Sequence, residues 1–411
     1  MPPLAVAAAL AAAALAAAIA APWDRGVDLT PLVHDASPSA SSASLDVPAY
    51  ARTTVHFPLN GGAIGGGRFG RQPPRLFATP VTRPIPLPSE TGEAWLYLPK
   101  GLPANTKPPV LIMGHGIGGQ KEMGLHSFAA AFAEKGIACF VLDYRCFGGS
   151  TGEPRNWASP SRHVADFVAA ARWVKANLGA SVDTARAALW GSSLAGGHAI
   201  AAAAVLGDEV AAVVSQVPHL SGRAASRASL AARGPAGVAR LARAGLHDVA
   251  RSLAGLGPAY VTLAGQKGDL AFMQLEYEEE RERGGATASP SSPSHTPSRP
   301  PHSEAELAEY FSKHPAVYQG GWQNRIRARF ALDIARYSPG DALPAVTAPV
   351  LMIVATRDTQ CPPGVARELA GKNKGVTLVE IEAAHFEVYR GDAHAAAVAA
   401  EAGWLAKTLG V

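Results

Sequence analysis

Three side chains of this sequence have the types needed for nucleophilic acyl chemistry. They are Ser193 in "ALWGSSLAGGHA", Asp358 in "ATRDTQCPP" and His385 in "AAHFEVYRG". A serine hydroxyl needs a base to take its proton, and an imidazole base needs a carboxylate to fix its tautomer. Each of the three follows a short apolar run. Taken singly, an aspartate after a strand is usually a turn or cap residue, and a lone histidine is usually structural. Together, at successive strand ends and in the chain order Ser, Asp, His, they favour a catalytic triad. Two serines compete for the nucleophile position. A sharp strand-to-helix turn tolerates only small residues two before and two after its serine. Gly191 and Ala195 meet that need around Ser193, with Gly196 following, whereas Ser192 would have Trp190 and Leu194 as flankers.

A developing oxyanion needs backbone donors. The glycine-rich turn His115-Gly116-Ile117-Gly118-Gly119 also follows an apolar run. The expected donors are the amides of Ile117 and of Leu194, the residue after the nucleophile. Gly116 and Gly118 give the turn its freedom. His115 is read as a structural hydrogen-bonder near the site.

These residues must be positioned by strands and helices. "YARTTVHFPL" and "EAWLYLPKG" read as a first pair of strands. "PPVLIMG", "IACFVLDYR", "ARAALWG", "EVAAVVSQVP", "APVLMIVATRD" and "VTLVEIEA" read as buried strands. Between them lie helical stretches: "MGLHSFAAAFAEKG", "RHVADFVAAARWVKANLG", "LAGGHAIAAAAVLG" and the closing "DAHAAAVAAEAGWLAKTL". Continuous apolar strands alternating with helices predict an α/β fold. Its sheet should be mainly parallel, of about eight strands, with helices on both faces. Ligands of such sheets bind outside the carboxyl ends of the strands, where all five site residues fall.

The chain divides accordingly. Residues 1–48 read as a leader or tail, 49–219 as the first part of the core with a flexible Gly/Pro-rich insertion at 61–89, and 346–411 as its second part. Residues 220–345 read as a helical cap containing a low-complexity, disordered insertion at 279–305. The apolar, alanine-rich start is compatible with a signal peptide, an organellar targeting segment or a membrane anchor, but it lacks a positive n-region. Arg223, Arg227, Arg233, Arg240, Arg243 and Arg251 stud the first half of the cap. A solvated helix face is preferred for them over an acidic partner or membrane surface.

Composition excludes other classes. Of 411 residues 48% are hydrophobic and 17% charged, which rules out a wholly disordered chain. The formal charge of +4 comes without a compact basic tract interleaved with aromatics, so no nucleic-acid partner is expected. Cys139, Cys146 and Cys361 form neither a disulfide framework nor a zinc pair, and Cys139 reads as an inert core residue. "GHGIGG" departs from the dinucleotide fingerprint and lacks the P-loop lysine–hydroxyl pair, so no cofactor and no metal are expected.

The stretches "MGHGIGGQKEMGLHSFAAAFAEKGIACFVLDYRCFGGSTGEPRNW", "ALWGSSLAGGHA", "APVLMIVATRDTQCPP" and "AAHFEVYRGD" resemble the α/β-hydrolase superfamily, in particular its serine aminopeptidase-type and dienelactone-hydrolase-like branch. The matching segments run from about residue 92 to 218 and 322 to 408, and leave 61–89 and 279–305 uncovered. In "DYRCFGGSTGEP" the family usually has "RGFG", so Cys146 stands in place of glycine, and Ala195 stands where the elbow usually has glycine. The resemblance implies a serine hydrolase but does not specify its substrate, for which a small-molecule ester is the first reading. A peptidase or amidase is the alternative within the class, and a non-catalytic binding scaffold the alternative outside it.

Overall fold

The structure, a computed structural model, describes residues 45–59, 90–265, 268–274 and 322–411. The insertions expected at 61–89 and 279–305, the leader up to residue 44 and the helical stretch "AELAEYFSKH" lie outside the described residues.

Strands β1 (Leu45–Asp46), β2 (Tyr50–Leu59) and β3 (Glu90–Pro99) form an antiparallel edge. The sheet therefore starts inside the segment expected to be tail. Then follow β4 (Pro109–Gly114), α1 (Leu125–Glu134), β5 (Ala138–Leu142), α2 (Pro160–Asn177), β6 (Asp183–Ser192), α3 (Leu194–Leu206) and β7 (Ala212–Gln216). The intervening region holds α4 (Gly222–Leu253), β8 (Tyr260–Gly265), β9 (Ala271–Gln274), β10 (Arg325–Arg327) and α5 (Phe330–Ile334). The core resumes with β11 (Val350–Ala355), α6 (Gly364–Lys372), β12 (Val376–Ile381) and α7 (Gly391–Leu409).

The main sheet has nine strands in the order β1-β2-β3-β5-β4-β6-β7-β11-β12. From β5 to β12 every pairing is parallel. Successive strand residues point to opposite faces, and here both faces are buried. Val110 and Ile112 join a core with Val164, Phe167 and Ala199 of α2 and α3. Leu111 and Met113 join a second core with Phe128 of α1 and Leu405 of α7. Helices therefore cover both sides, which is why these strands read as unbroken apolar runs. Strand order reverses around β4, with β5 on one side and β6 on the other. That switch point opens a crevice at the carboxyl ends of β4 and β6.

The 220–345 region is not purely helical, as the sequence reading had it. β10, β8 and β9 form a separate three-stranded sheet. "NRIRARFALDIARY", expected as helix, is a strand followed by the short helix α5. Two arginines of that strand are held by stacking rather than by water: Arg325 lies over the Tyr260 ring at 4.3 Å and Arg327 over Trp157 at 4.5 Å. Helix α4 is kinked where Gly234 adopts φ 68° ahead of Pro235. No described helix is long and apolar enough to cross a membrane.

Candidate active site

Strand β6 delivers the chain to the carboxyl edge of the sheet, and α3 leaves it at once. Ser193 sits at the joint with φ 59° and ψ −120°, a region that L-residues seldom occupy. Such a backbone costs about 1–3 kcal/mol and must be held by its surroundings. Its N–H donates to the Gln216 carbonyl (2.9 Å), and its carbonyl accepts from Gly196 (3.0 Å) and His219 (3.0 Å). A Cβ on Gly191 would lie 2.0 Å from the Ala195 carbonyl oxygen, and one on Gly196 would lie 2.8 Å from Pro218. Both positions need glycine because backbone passes against them. Ala195 is fully buried, and the turn closes around its methyl group.

The two serines separate cleanly. Ser192 is buried in a polar network, 2.5 Å from the Tyr389 hydroxyl and accepting from Gln216 Nε2 at 2.9 Å. Ser193 opens onto a cavity and lies 3.0 Å from His385 Nε2. His385 Nδ1 in turn lies 2.7 Å from Asp358 Oδ2. Since a carboxylate only accepts, Nδ1 carries the proton and Nε2 is free to accept from the serine. The other Asp358 oxygen accepts from the amides of Gln360 (2.9 Å) and Cys361 (2.7 Å). Asp358 and His385 follow β11 and β12, whose parallel pairing sets their loops side by side.

The turn after β4 faces the elbow. A Cβ on Gly116 would sit 3.2 Å from Ser193 Cβ. Gly118 takes φ 62°, and a Cβ there would meet the Leu263 side chain. Among the described residues, neither the Ile117 nor the Leu194 amide donates to a backbone acceptor. Leu194 is the first residue of α3, where the helix dipole adds partial positive charge. His115 is buried; its Nδ1 donates to the Gly116 carbonyl at 2.9 Å, so it belongs to the turn and not to the serine. Burial holds it below the ordinary histidine range.

A charge cluster unforeseen in the sequence fixes this turn. The Lys121 ammonium is fully buried, 2.6 Å from Asp143, 2.7 Å from Glu93 and 2.8 Å from Glu122. Asp143 also accepts from the Lys121 amide (2.7 Å) and the Gly149 amide (3.0 Å). It thereby ties the turn after β4 to the "DYRCFGGS" loop after β5. Among the described residues these three carboxylates are the one group spaced to hold a metal ion, and the ammonium already satisfies them. Cys146, in place of the usual glycine, sits at φ 69°, the conformation for which glycine is preferred. Cys361 is a further residue the sequence did not single out. It lines the cavity within hydrogen-bonding reach of Ser193, and burial and Asp358 push its thiol well above the usual range. It is therefore a neutral wall and no rival nucleophile.

Two hollows meet at Ser193 and His385. One is narrow and apolar, with Met123, Leu125, Leu263, Trp322 and Phe386 in its walls. The other encloses about 650 Å³ and is walled by α4, β9 and α5. Neither contains an Asp or Glu among its described lining residues.

The family profile described as alpha/beta hydrolase fold matches residues 109–391, more than half of the chain. The quorum-quenching protein AidA of Acinetobacter baumannii is 30% identical over 302 residues, 73% of this chain and 86% of its own. The polyketide transferase grgF of Penicillium sp. is 32% identical over 180 residues, 44% of this chain and 55% of that protein. The crystal structure of GrgF superposes with a TM-score of 0.56 at 22% identity, covering 79% of this chain and 96% of that one. DcsB, solved with a substrate analogue, gives 0.59 at 20% identity over 79% of this chain and 96% of that one. The profile match and the AidA likeness agree with the strand order and the switch-point crevice described above, and the chain belongs to the alpha/beta hydrolase family.

Proposed function

We propose that this protein is a serine hydrolase that cleaves a carboxylic ester through an acyl-enzyme. The observation that carries the proposal is the unbroken contact chain Asp358–His385–Ser193 opening onto a cavity. His385 Nε2 takes the Ser193 proton as Oγ attacks the ester carbonyl. Asp358 holds the imidazole and stabilises its cation. The Ile117 and Leu194 amides receive the oxyanion, and losing one such donor typically costs about 2.7–4 kcal/mol of transition-state stabilisation. His385 then hands the proton to the leaving alcohol, and water, activated by the same imidazole, releases the acid. The described parts of residues 220–345, α4, β9 and α5 among them, act as a cap that walls the larger hollow.

An ester is favoured over an aminoacyl amide by the cavity's chemistry. An aminopeptidase must receive an α-ammonium group, and no carboxylate lines either hollow among the described residues. The test is a fluorophosphonate probe on the whole protein, beside p-nitrophenyl esters of increasing chain length and aminoacyl-nitroanilides. We expect labelling and ester turnover, both lost in Ser193→Ala, and no anilide cleavage. A folded wild-type protein that neither labels nor turns over would make it a binding scaffold instead.

A further inference from the structure

The larger hollow carries a cation that the reaction above does not use. Arg233 sits on α4 one residue before the kink, where the backbone of Gly234 breaks the helix. Gly237 supplies the space for its stem: a Cβ there would lie 2.9 Å from Arg233 Cβ and 3.0 Å from its Cγ. The guanidinium is pinned against β9, with Nη1 donating to the Ala271 carbonyl (2.7 Å) and Nη2 to the Phe272 carbonyl (2.8 Å). Nε is buried and has no acceptor. Two carbonyls leave three of the five guanidinium hydrogens without partners.

Elsewhere in the fold buried arginines are held in two ways: Arg155 by carbonyls and Arg325 by a tyrosine ring, and the others by carboxylates. Arg145 meets Asp166 and Glu90, and Arg327 and Arg329 share Asp248. Among the described residues Arg233 forms no ion pair with a carboxylate. Burial lowers its pKa with nothing opposing. The guanidinium is only half-buried, but its buried Nε hydrogen lacks an acceptor, an unfavourable arrangement that an anion arriving there in use would relieve. Arg336 is a second arginine on the lining, and much of the rest of the hollow is apolar, with Ala228, Ala232, Val238, Leu241, Phe272 and Phe330 among its walls. Its volume of about 650 Å³ is that of a site for a sizeable organic molecule.

We propose that the acyl substrate carries an oxyanion, a carboxylate, at the end remote from the scissile ester, and that Arg233 receives it while the apolar walls take the intervening chain. The inference rests on the hydrolase reading for the Ser193 end of the substrate. Arg233 is a specificity residue and takes no part in bond breaking.

The test compares p-nitrophenyl half-esters of α,ω-diacids, from six to fourteen carbons by the cavity's scale of ~300–1,000 Å³, with the same esters capped as methyl esters. For chains long enough to span the hollow, we expect kcat/KM to favour the free carboxylate about tenfold, as one charge-assisted hydrogen-bonded contact does. Arg233→Met should bring that ratio near one, and Arg233→Lys should keep part of it. A ratio near one at every length in the wild type overturns the proposal. So does a preference that survives Arg233→Met, or one abolished by Arg336→Met alone. A second readout does not depend on turnover. Calorimetric binding of monomethyl against dimethyl dodecanedioate to Ser193→Ala should show the same Arg233-dependent advantage. If no ester is hydrolysed but this advantage is present, the ester reading fails and the anion site stands. If esters are hydrolysed and the advantage is missing in both assays, the reverse holds.

Discussion

The rim of the main sheet and the cavity-facing part of the 220–345 wall above it are closed to different degrees. At the rim, glycines are required by touching backbone: Gly191 lies under the Ala195 carbonyl and Gly197 under that of His219. In the wall, Gly222 and Gly245 also lie against backbone, but Gly234, Gly255 and Gly257 have nothing within 4 Å of an added Cβ. At the rim, the buried Lys121 is surrounded by three carboxylates. In the wall, Arg233 has carbonyls and a hollow. The rim is thus closed upon itself and holds a geometry, while the wall is left open toward what it encloses. On the proposals above, catalytic position and substrate choice reside in different parts of the chain.

The sharpest contrast lies between neighbours. Ser193→Ala should lower kcat by about 10⁴-fold or more with little loss of stability. Ser192→Ala removes a hydroxyl that Tyr389 and Gln216 both use. It should leave chemistry largely in place and lower stability by about 1–3 kcal/mol through the stranded partners. Steady-state kinetics and urea denaturation on both variants read this directly. Comparable activity losses in the two would mean that the elbow does not sort its serines. Lys121→Met isolates the rim's charges. It leaves Asp143, Glu93 and Glu122 together without a cation and should lower stability by about 3–5 kcal/mol. Arg233→Met strands no carboxylate and should change stability by less than about 1 kcal/mol. Equal losses in denaturation would erase the distinction between the two regions. Gly191→Ala against Gly257→Ala repeats the comparison without charge. The first forces backbone apart and should lower stability by about 3 kcal/mol or more, and the second should stay within about 0.5 kcal/mol.

The rim was legible in the sequence because close packing leaves compositional marks. Gly191 and Ala195 around Ser193 record how tightly α3 returns over β6, and apolar runs ending at Asp358 and His385 record strands buried on both faces. The wall was not legible for a matching reason. β8, "YVTLAG", is an ordinary strand sequence, but its antiparallel partner is "RIR", some sixty residues away. Hydropathy assigns that tripeptide to solvent. Its arginines are buried because Tyr260, Trp157 and Asp248 receive them, and such contacts are invisible before the fold brings them together. Lys121 escaped notice likewise, since Glu93 and Asp143 join it only through the pairing of β3 with β5 and the loops beyond.

The mildest test uses pH, and it sets a group in the core against one at the base of the wall. Glu401 is fully buried on α7, where Trp190 Nε1 donates to it at 3.0 Å. Burial raises its pKa from 4.5 to about 8. Between those values the folded state holds a proton that the unfolded state has released, so stability falls as pH rises from about 4.5 to 8. His219, buried beside Tyr337, is lowered from 6.5 to about 4. There the unfolded state binds the extra proton, so stability is whole above 6.5 and falls as pH drops toward 4. Each group contributes a slope of about 1.4 kcal/mol per pH unit within its window. Glu401→Gln keeps an acceptor for Trp190 and removes one slope only. Its melting temperature should match the wild type near pH 4.5, exceed it increasingly toward pH 8, and show the same acid-side decline. A constant offset across the range would mean that Glu401 is ionised in the folded protein, with its charge met by a partner. The tryptophan under the elbow would then rest against a carboxylate and not a neutral acid.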